Sequence, residues 1–96
     1  MTVMDIRNGA ETNDLGVSET EERLGIVGLL AITYKRMTLV IAEDDEGLMA
    51  TGWNCPWPGQ ENRPHYGLAM ARQKAIDGLL HARARRTEFL AKGTRQ

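Results

Sequence analysis

A segment with three prolines divides this sequence into two parts that have different hydrophobic patterns. Residues 54–66 hold Pro56, Pro58 and Pro64, and each proline lacks a backbone donor and pushes the preceding residue toward an extended conformation. This segment is therefore predicted to be a loop. Short apolar and β-branched runs typical of strands precede it, and a helical periodicity follows it. Such a chain is expected to fold as α+β.

Two runs before the loop are predicted to form an antiparallel β-hairpin. Residues 37–43 and 48–54 flank the acidic turn Asp44-Asp45-Glu46-Gly47, whose glycine supplies the positive φ that such loops need. A four-residue loop pairs Glu43 with Leu48. We expect the core face to consist of Met37, Leu39, Ile41, Leu48, Ala50 and Gly52. The other face then carries Thr38, Val40, Ala42, Met49, Thr51 and Trp53.

The segment before the hairpin begins with a helix signal. Ser18 and Glu21 have the spacing of a capping box, and a helix is predicted over residues 19–34. The alternative is that residues 26–33 form a strand of a three-stranded meander, because the run is apolar almost all round. Residues 8–17 are predicted to be a loop within a mobile segment 1–17, and residues 2–7 are a candidate edge strand.

The C-terminal part is predicted to form one long helix over residues 67–91 that leaves the core near Ala82. One face of this helix carries Leu68, Ala71, Ala75, Ile76, Leu79 and Ala82, and the opposite face carries Gln73, Lys74, Asp77, His81 and Arg85. The predicted domain spans residues 18–92, and residues 93–96 form a tail. The predicted architecture is thus a helix, an antiparallel hairpin and a long C-terminal helix packed on the sheet.

The composition is that of an ordinary globular protein. Hydrophobic residues make up 42% and charged residues 26% of the 96 residues, and the formal net charge is −1. A single cysteine excludes an intrachain disulfide, and the first residues lack the pattern of a signal peptide, so a cytoplasmic location is expected. Charge is uneven along the chain: residues 1–23 hold six acidic and two basic side chains, and residues 72–96 hold seven basic and two acidic ones.

Residue types that carry catalysis are sparse. Ser18 is the single serine and already has a predicted capping role. Cys55 with His65 as base would make a small hydrolase, but a loop thiol without a catalytic role is the favoured interpretation. Cys55, His65 and His81 lack the spacing of zinc ligands. We therefore expect a protein that is not an enzyme and has no catalytic residues, no cofactor and no metal site.

Aromatic and acidic side chains form the predicted partner-binding surface: Trp53, Trp57, Tyr66, Glu43, Asp44, Asp45 and Glu46. The aromatic residues either cover one hairpin face as a second core or bind a partner protein, since tryptophan and tyrosine dominate interface energies. The acidic turn is able to mimic phosphate in a basic channel. A two-stranded sheet also has unpaired edges, so a homodimer that buries Val40, Met49 and Trp53 is predicted.

The alternative function is a small nucleic-acid-binding module. Lys74, His81 and Arg85 lie on one stripe of the C-terminal helix, with Arg83 and Arg86 beside them. An ordinary solvated helix face is the competing interpretation of this basic stripe.

The acidic-turned hairpin that ends in Gly52-Trp53, followed by the segment Ala71 to Leu80, resembles small accessory proteins of bacteriophages and prophages of the phage ABA-sandwich type. This resemblance covers residues 18–82 and implies a phage product that binds and blocks a host or defence complex, as anti-CRISPR proteins do. A double-stranded-RNA-binding domain has a similar order of elements, but residues 68–71 replace its lysine-rich helix start.

Overall fold

The computed structural model describes residues 10–61 and 63–93, with the backbone alone for residues 91–93. Its elements are β1 (Ala10–Asp14), α1 (Glu19–Arg23), β2 (Ile26–Tyr34), β3 (Met37–Asp44), β4 (Met49–Asn54) and α2 (Pro64–Gly93). Four strands form one antiparallel sheet in the order β1-β2-β3-β4, and α2 packs against β3 and β4. The fold is α+β, as the sequence predicts. The edge strand predicted for residues 2–7 lies outside the described residues.

Strand β1 corrects the loop predicted for residues 8–17. Residues Ala10–Asp14 pair with the outer edge of β2 from Ala10↔Tyr34 to Asp14↔Leu30. Four of the five side chains are exposed, so the strand has no apolar periodicity to reveal it. Its backbone groups are satisfied by the neighbouring strand, which overrides the turn-forming tendency of its residues.

Strand β2 corrects the helix predicted for residues 19–34, and the meander alternative is confirmed for this segment. The predicted capping box is present: Ser18 Oγ accepts from Glu21 N at 3.2 Å, and Glu21 Oε1 accepts from Ser18 N at 2.8 Å. However, α1 ends after five residues. Gly25 follows it with a φ of 82°, a left-handed conformation that stops a helix, and the β-branched Ile26 and Val27 then begin the strand.

The hairpin register also differs from the prediction. Glu43 pairs with Met49 instead of Leu48, because the Asp44 carboxylate accepts from the backbone N–H groups of Glu46 at 3.0 Å and Leu48 at 2.8 Å and draws both into the turn. Gly47 has the predicted positive φ, at 86°. A shift of one residue changes which side chains of the two strands share a face, so Ala50 and Gly52 lie beside Ala42 and Val40 instead of Ile41 and Leu39.

The core side of β4 is the predicted one, with Leu48, Ala50 and Gly52. The core side of β3 is reversed, because Val40 and Ala42 are buried in place of the predicted Leu39 and Ile41. The buried hydrophobic residues of the core are Ile26, Leu29, Ala31, Val40, Ala42, Ala71, Ala75, Ile76 and Leu79. The predicted apolar face of α2 is confirmed, and residues 84–90 beyond it are exposed. Gly52 decides which sheet face is covered, because a Cβ there would lie closer than 3.0 Å to Ala75 N and Ala71 O. The backbone of α2 thus lies directly on this glycine.

Candidate partner-binding site

A concave site lies between the end of β4 and the start of α2. We call it the aromatic cleft; its volume is about 630 Å³, and it is lined by Asn54, Cys55, Pro56, Trp57, Gln60, Glu61, Arg63 and Tyr66. Trp57 is 77% exposed and Tyr66 is 59% exposed. Aromatic side chains that stay in water keep their full hydrophobic energy available for binding. The amide, carboxylate and guanidinium groups beside them offer hydrogen-bond donors and acceptors to a ligand.

Three hydrogen bonds and the close packing of one glycine hold the cleft in shape. The segment from Trp57 to Gln60 is a turn, in which Gln60 N donates to the Trp57 carbonyl at 2.9 Å and Trp57 N donates to Gln60 Oε1 at 2.8 Å. Arg36 donates from Nη2 to the Gln60 carbonyl and so ties the β2–β3 turn to this loop. Gly67 is buried in the first turns of α2, where a Cβ would lie 3.2 Å from Asn54 Nδ2. The cleft therefore rests on both the sheet and the helix.

The structure separates Trp53 from the other two predicted aromatic residues. Trp53 pairs with Leu39 and is 58% exposed on the sheet face turned away from α2, which we call the open face. The competing prediction of a second core is not seen, since all three aromatic residues are exposed in the chain. The apolar side chains of the open face are Leu30, Ile32, Tyr34, Met37, Leu39, Ile41, Met49 and Trp53. Val40, which was predicted to lie beside Met49 and Trp53 at a dimer contact, is buried in the core instead.

The four acids of the predicted contact turn have different environments. Asp44 is 1% exposed, and its Oδ2 accepts from Arg83 Nε at 3.0 Å. Burial alone would raise the pKa of Asp44, but hydrogen bonds from Arg83, Leu48 N and Glu46 N outweigh it, and the pKa lies below its usual value. Asp44 is thus a structural group whose side chain no partner reaches. Asp45 and Glu46 are exposed, and Glu43 is half-buried at the edge of the open face.

Most of the predicted basic stripe is engaged within the chain. Lys74 Nζ donates to the Trp53 carbonyl at 3.1 Å. Arg83 donates to the Leu24 carbonyl as well as to Asp44, and Arg86 lies 3.4 Å from Glu46 Oε1. His81 and Arg85 are exposed on the solvent side of α2. Lys74, Arg83 and Arg86 therefore join α2 to the β3–β4 hairpin.

An ion pair between Arg72 and Glu21 was not predicted from the sequence. Arg72 of α2 grips both carboxylate oxygens of Glu21, with Nε to Oε2 at 2.8 Å and Nη2 to Oε1 at 2.5 Å. The hydrogen bonds from Arg72 lower the pKa of Glu21 to about 2, against a smaller opposing effect of burial. The capping-box motif predicted the local bonds of Glu21. No sequence pattern predicted a partner 51 positions away.

Residue types for catalysis or metal binding are scattered. Cys55 is exposed and lines the aromatic cleft, whereas His65, its candidate base, is not among the lining residues. Within residues 10–61 and 63–93, no three side chains of histidine, cysteine, aspartate or glutamate are grouped so that they could hold a metal ion. Neither helix in this described part of the chain combines the length and the apolar surface needed to cross a bilayer.

The fold and the cleft define a small α+β protein with one helix-covered sheet face, one open sheet face and an exposed aromatic site. Comparison with known proteins adds no relative: no protein-family model, no curated protein and no solved structure matches this chain. The function is therefore inferred from the geometry of these surfaces.

Proposed function

We propose that this chain is a non-enzymatic interaction protein that binds a partner protein at the aromatic cleft. The observation that carries the proposal is the exposure of Trp57 and Tyr66 together on one concave surface. Side chains of these two types are the most enriched at the energetic centres of protein interfaces, where they bury a large area at little conformational cost. Gln60, Glu61 and Arg63 surround them with the polar rim that gives an interface its specificity.

The resemblance to phage accessory proteins suggests the class of partner. A host or defence protein complex, such as a CRISPR complex, is the partner that such a protein would block by occupying a surface. Asp45 and Glu46 are exposed at the β3–β4 turn and offer a second, acidic contact to a partner that carries a basic channel. Glu43 and Asp44 do not belong to this proposed contact, because one lies on the open face and the other is buried.

The nucleic-acid alternative has less support. A nucleic-acid surface needs several basic side chains that reach phosphates together. Lys74, Arg83 and Arg86 already contact a carbonyl group or a carboxylate of this chain. A phosphate backbone at this helix would have to compete with those contacts and approach the acidic Glu46.

Affinity capture with matched variants tests the proposal. The purified chain is immobilised and exposed to bacterial lysate with and without nuclease, and the retained proteins are identified by mass spectrometry. Trp57→Ala with Tyr66→Ala should reduce retention of the partner at least ~10-fold, because hot-spot truncations commonly cost 2 kcal/mol or more. Phe89→Ala removes an equally exposed aromatic ring, 72% exposed on α2, and is the matched control.

The remaining arms separate the two candidate functions. Nuclease treatment and Arg85→Glu should leave capture unchanged if the partner is a protein held by aromatic groups. Asp45→Asn with Glu46→Gln should reduce capture by a smaller factor than the aromatic pair. If nuclease or Arg85→Glu abolishes capture while the variant with Trp57→Ala and Tyr66→Ala still captures the partner, the chain is a nucleic-acid-binding module and the proposal is wrong.

A further inference from the structure

Within residues 10–61 and 63–93, no element packs on the open face of the sheet. Met49 and Trp53 are each 58% exposed there, Leu30 is 38% exposed and Tyr34 is 37% exposed. Together with their half-buried neighbours they form one continuous apolar surface across β2, β3 and β4, and a continuous exposed apolar surface marks an interaction site. A stable interface buries about 800 Å² on each partner and combines an apolar centre with a polar rim. The open face has both parts.

The two ends of the open face carry opposite charges. At the β2–β3 turn, the Lys35 ammonium lies 5.3 Å from the centre of the Tyr34 ring. At the other end, Asp14 and Glu43 flank a shallow pocket of about 260 Å³ whose floor includes Gly28. Because glycine has no side chain, this end of the face is concave where the Tyr34 end is raised. One surface therefore presents a cation and a projecting ring at one end, and two carboxylates and a recess at the other.

We propose that the open face binds a second copy of this chain, with the two-fold axis running across the strands. That axis reverses the strand direction of the second sheet, so the Tyr34 end of each copy lies over the Gly28 end of the other. Tyr34 enters the recess at Gly28, and its hydroxyl donates to the carboxylate of Asp14 or Glu43. Lys35 lies opposite the same carboxylates. Every contact occurs twice, as an isologous interface requires.

The strand spacing agrees with this arrangement. Tyr34 and Gly28 are six residues apart on β2, a separation of about 20 Å along an extended strand, so the axis crosses β2 at Ala31. The alternative two-fold axis, parallel to the strands, places Lys35 against Lys35 and Glu43 against Glu43. Like charges at both ends make it the less favourable packing. The aromatic cleft lies outside this face, so a test of the dimer and a test of the proposed partner binding are independent of each other.

Light scattering on the full chain tests the dimer. We expect a dimer mass at ~100 µM, a concentration well above the Kd of an interface of ordinary size. Gly28→Val fills the recess with a strand-compatible side chain. A Cβ at this position meets only the Glu43 side chain, at 3.9 Å or more. Circular dichroism and urea unfolding check that the γ-methyl groups of the valine also leave the fold unchanged. The dimer Kd should rise at least ~10-fold, because a filled recess excludes Tyr34.

Charge exchange tests the direction of the axis. Lys35→Glu alone should raise the dimer Kd, because it sets two acidic ends against each other, and the double variant Lys35→Glu with Glu43→Lys should restore it. Glu22→Lys reverses a charge on α1, which lies on the helix side of the sheet, and should leave the dimer Kd unchanged as the control for a charge reversal away from the open face. A monomer mass for the wild type, an unchanged Kd for Gly28→Val, or no rescue by the double variant would each overturn the proposal.

Discussion

Arg72 holds the Glu21 carboxylate by two hydrogen bonds, and the same carboxylate closes the capping box of α1. One side chain thus completes a helix start and fastens that helix to α2. The pair is largely screened from solvent, with side-chain exposures of 27% for Arg72 and 13% for Glu21. Two charge-assisted bonds in a partly buried site are worth more than a surface ion pair.

Glu21→Gln should therefore destabilise the protein. The amide keeps the shape of the side chain but removes its charge, which leaves the Arg72 guanidinium partly buried without a counter-ion. We expect the free energy of unfolding to fall by about 2 kcal/mol, measured by urea denaturation. Glu22→Gln makes the same change at the adjacent exposed position and should have almost no effect. Equal stabilities for the two variants would show that the pair contributes nothing.

The ion pair between Glu21 and Arg72 should make the stability of the protein depend on pH. The Glu21 pKa is lowered from its ordinary value of 4.5 to about 2 in the folded protein, so the folded state binds this proton more weakly than the unfolded state does. Its contribution, about 2–3 kcal/mol, is complete above pH 4.5 and is lost as the pH falls toward 2. Urea unfolding from pH 6 to pH 2.5 should show this loss. Glu21→Gln should show a shallower decline over the same interval, and parallel curves would contradict the assignment.

Local patterns predicted local structure well and long-range structure poorly. The capping box, the turn glycine and the apolar face of residues 68–82 in α2 are relations between residues a few positions apart, and all three are present. The length of α1 was wrong, because an apolar run suits a buried strand and a buried helix equally. Residues 26–34 form a strand because β2 pairs with a neighbouring strand on each side. The hydrophobic periodicity of the sequence does not show this pairing.

Among the glycines that the structure describes, Gly52 has the closest backbone neighbour, in α2. Gly52→Ala places a methyl group against the backbone of α2 at Ala71 and Ala75, so the helix must move away from the sheet. We expect a loss of about 3 kcal/mol in urea unfolding. Gly78→Ala is the matched control, because its Cβ would meet Ala50 Cβ at an ordinary 3.5 Å and alanine is the better helix former by up to about 1 kcal/mol. The two substitutions should therefore change stability in opposite directions.

The aromatic site was partly predictable from sequence. The proline-rich composition of residues 54–66 predicted an irregular loop, which is correct for the described residues between Asn54 and Arg63, but α2 already begins at Pro64. Trp57 from the loop and Tyr66 from the first turn of α2 line one cleft. Trp53 was grouped with them by proximity in sequence, but its alternation with the buried Gly52 along β4 puts it on the open face, away from the cleft. The register of the hairpin, which was predicted one residue off, is set by Asp44. The role of Asp44 depends on Arg83, 39 residues further along the chain. Sequence spacing alone does not encode that contact.

Cys55 offers a direct probe of the aromatic cleft, because its thiol is exposed and lines the same surface as Trp57 and Tyr66. A bulky maleimide on this thiol should occupy the cleft and reduce partner capture at least ~10-fold, about the same loss as removal of a hot-spot side chain. Cys55→Ser should capture the partner normally, keep its circular dichroism spectrum and resist the inhibition by maleimide. Loss of capture in the serine variant would instead assign a chemical role to the thiol and revive the hydrolase alternative. Full capture by the labelled wild type would place the binding surface elsewhere.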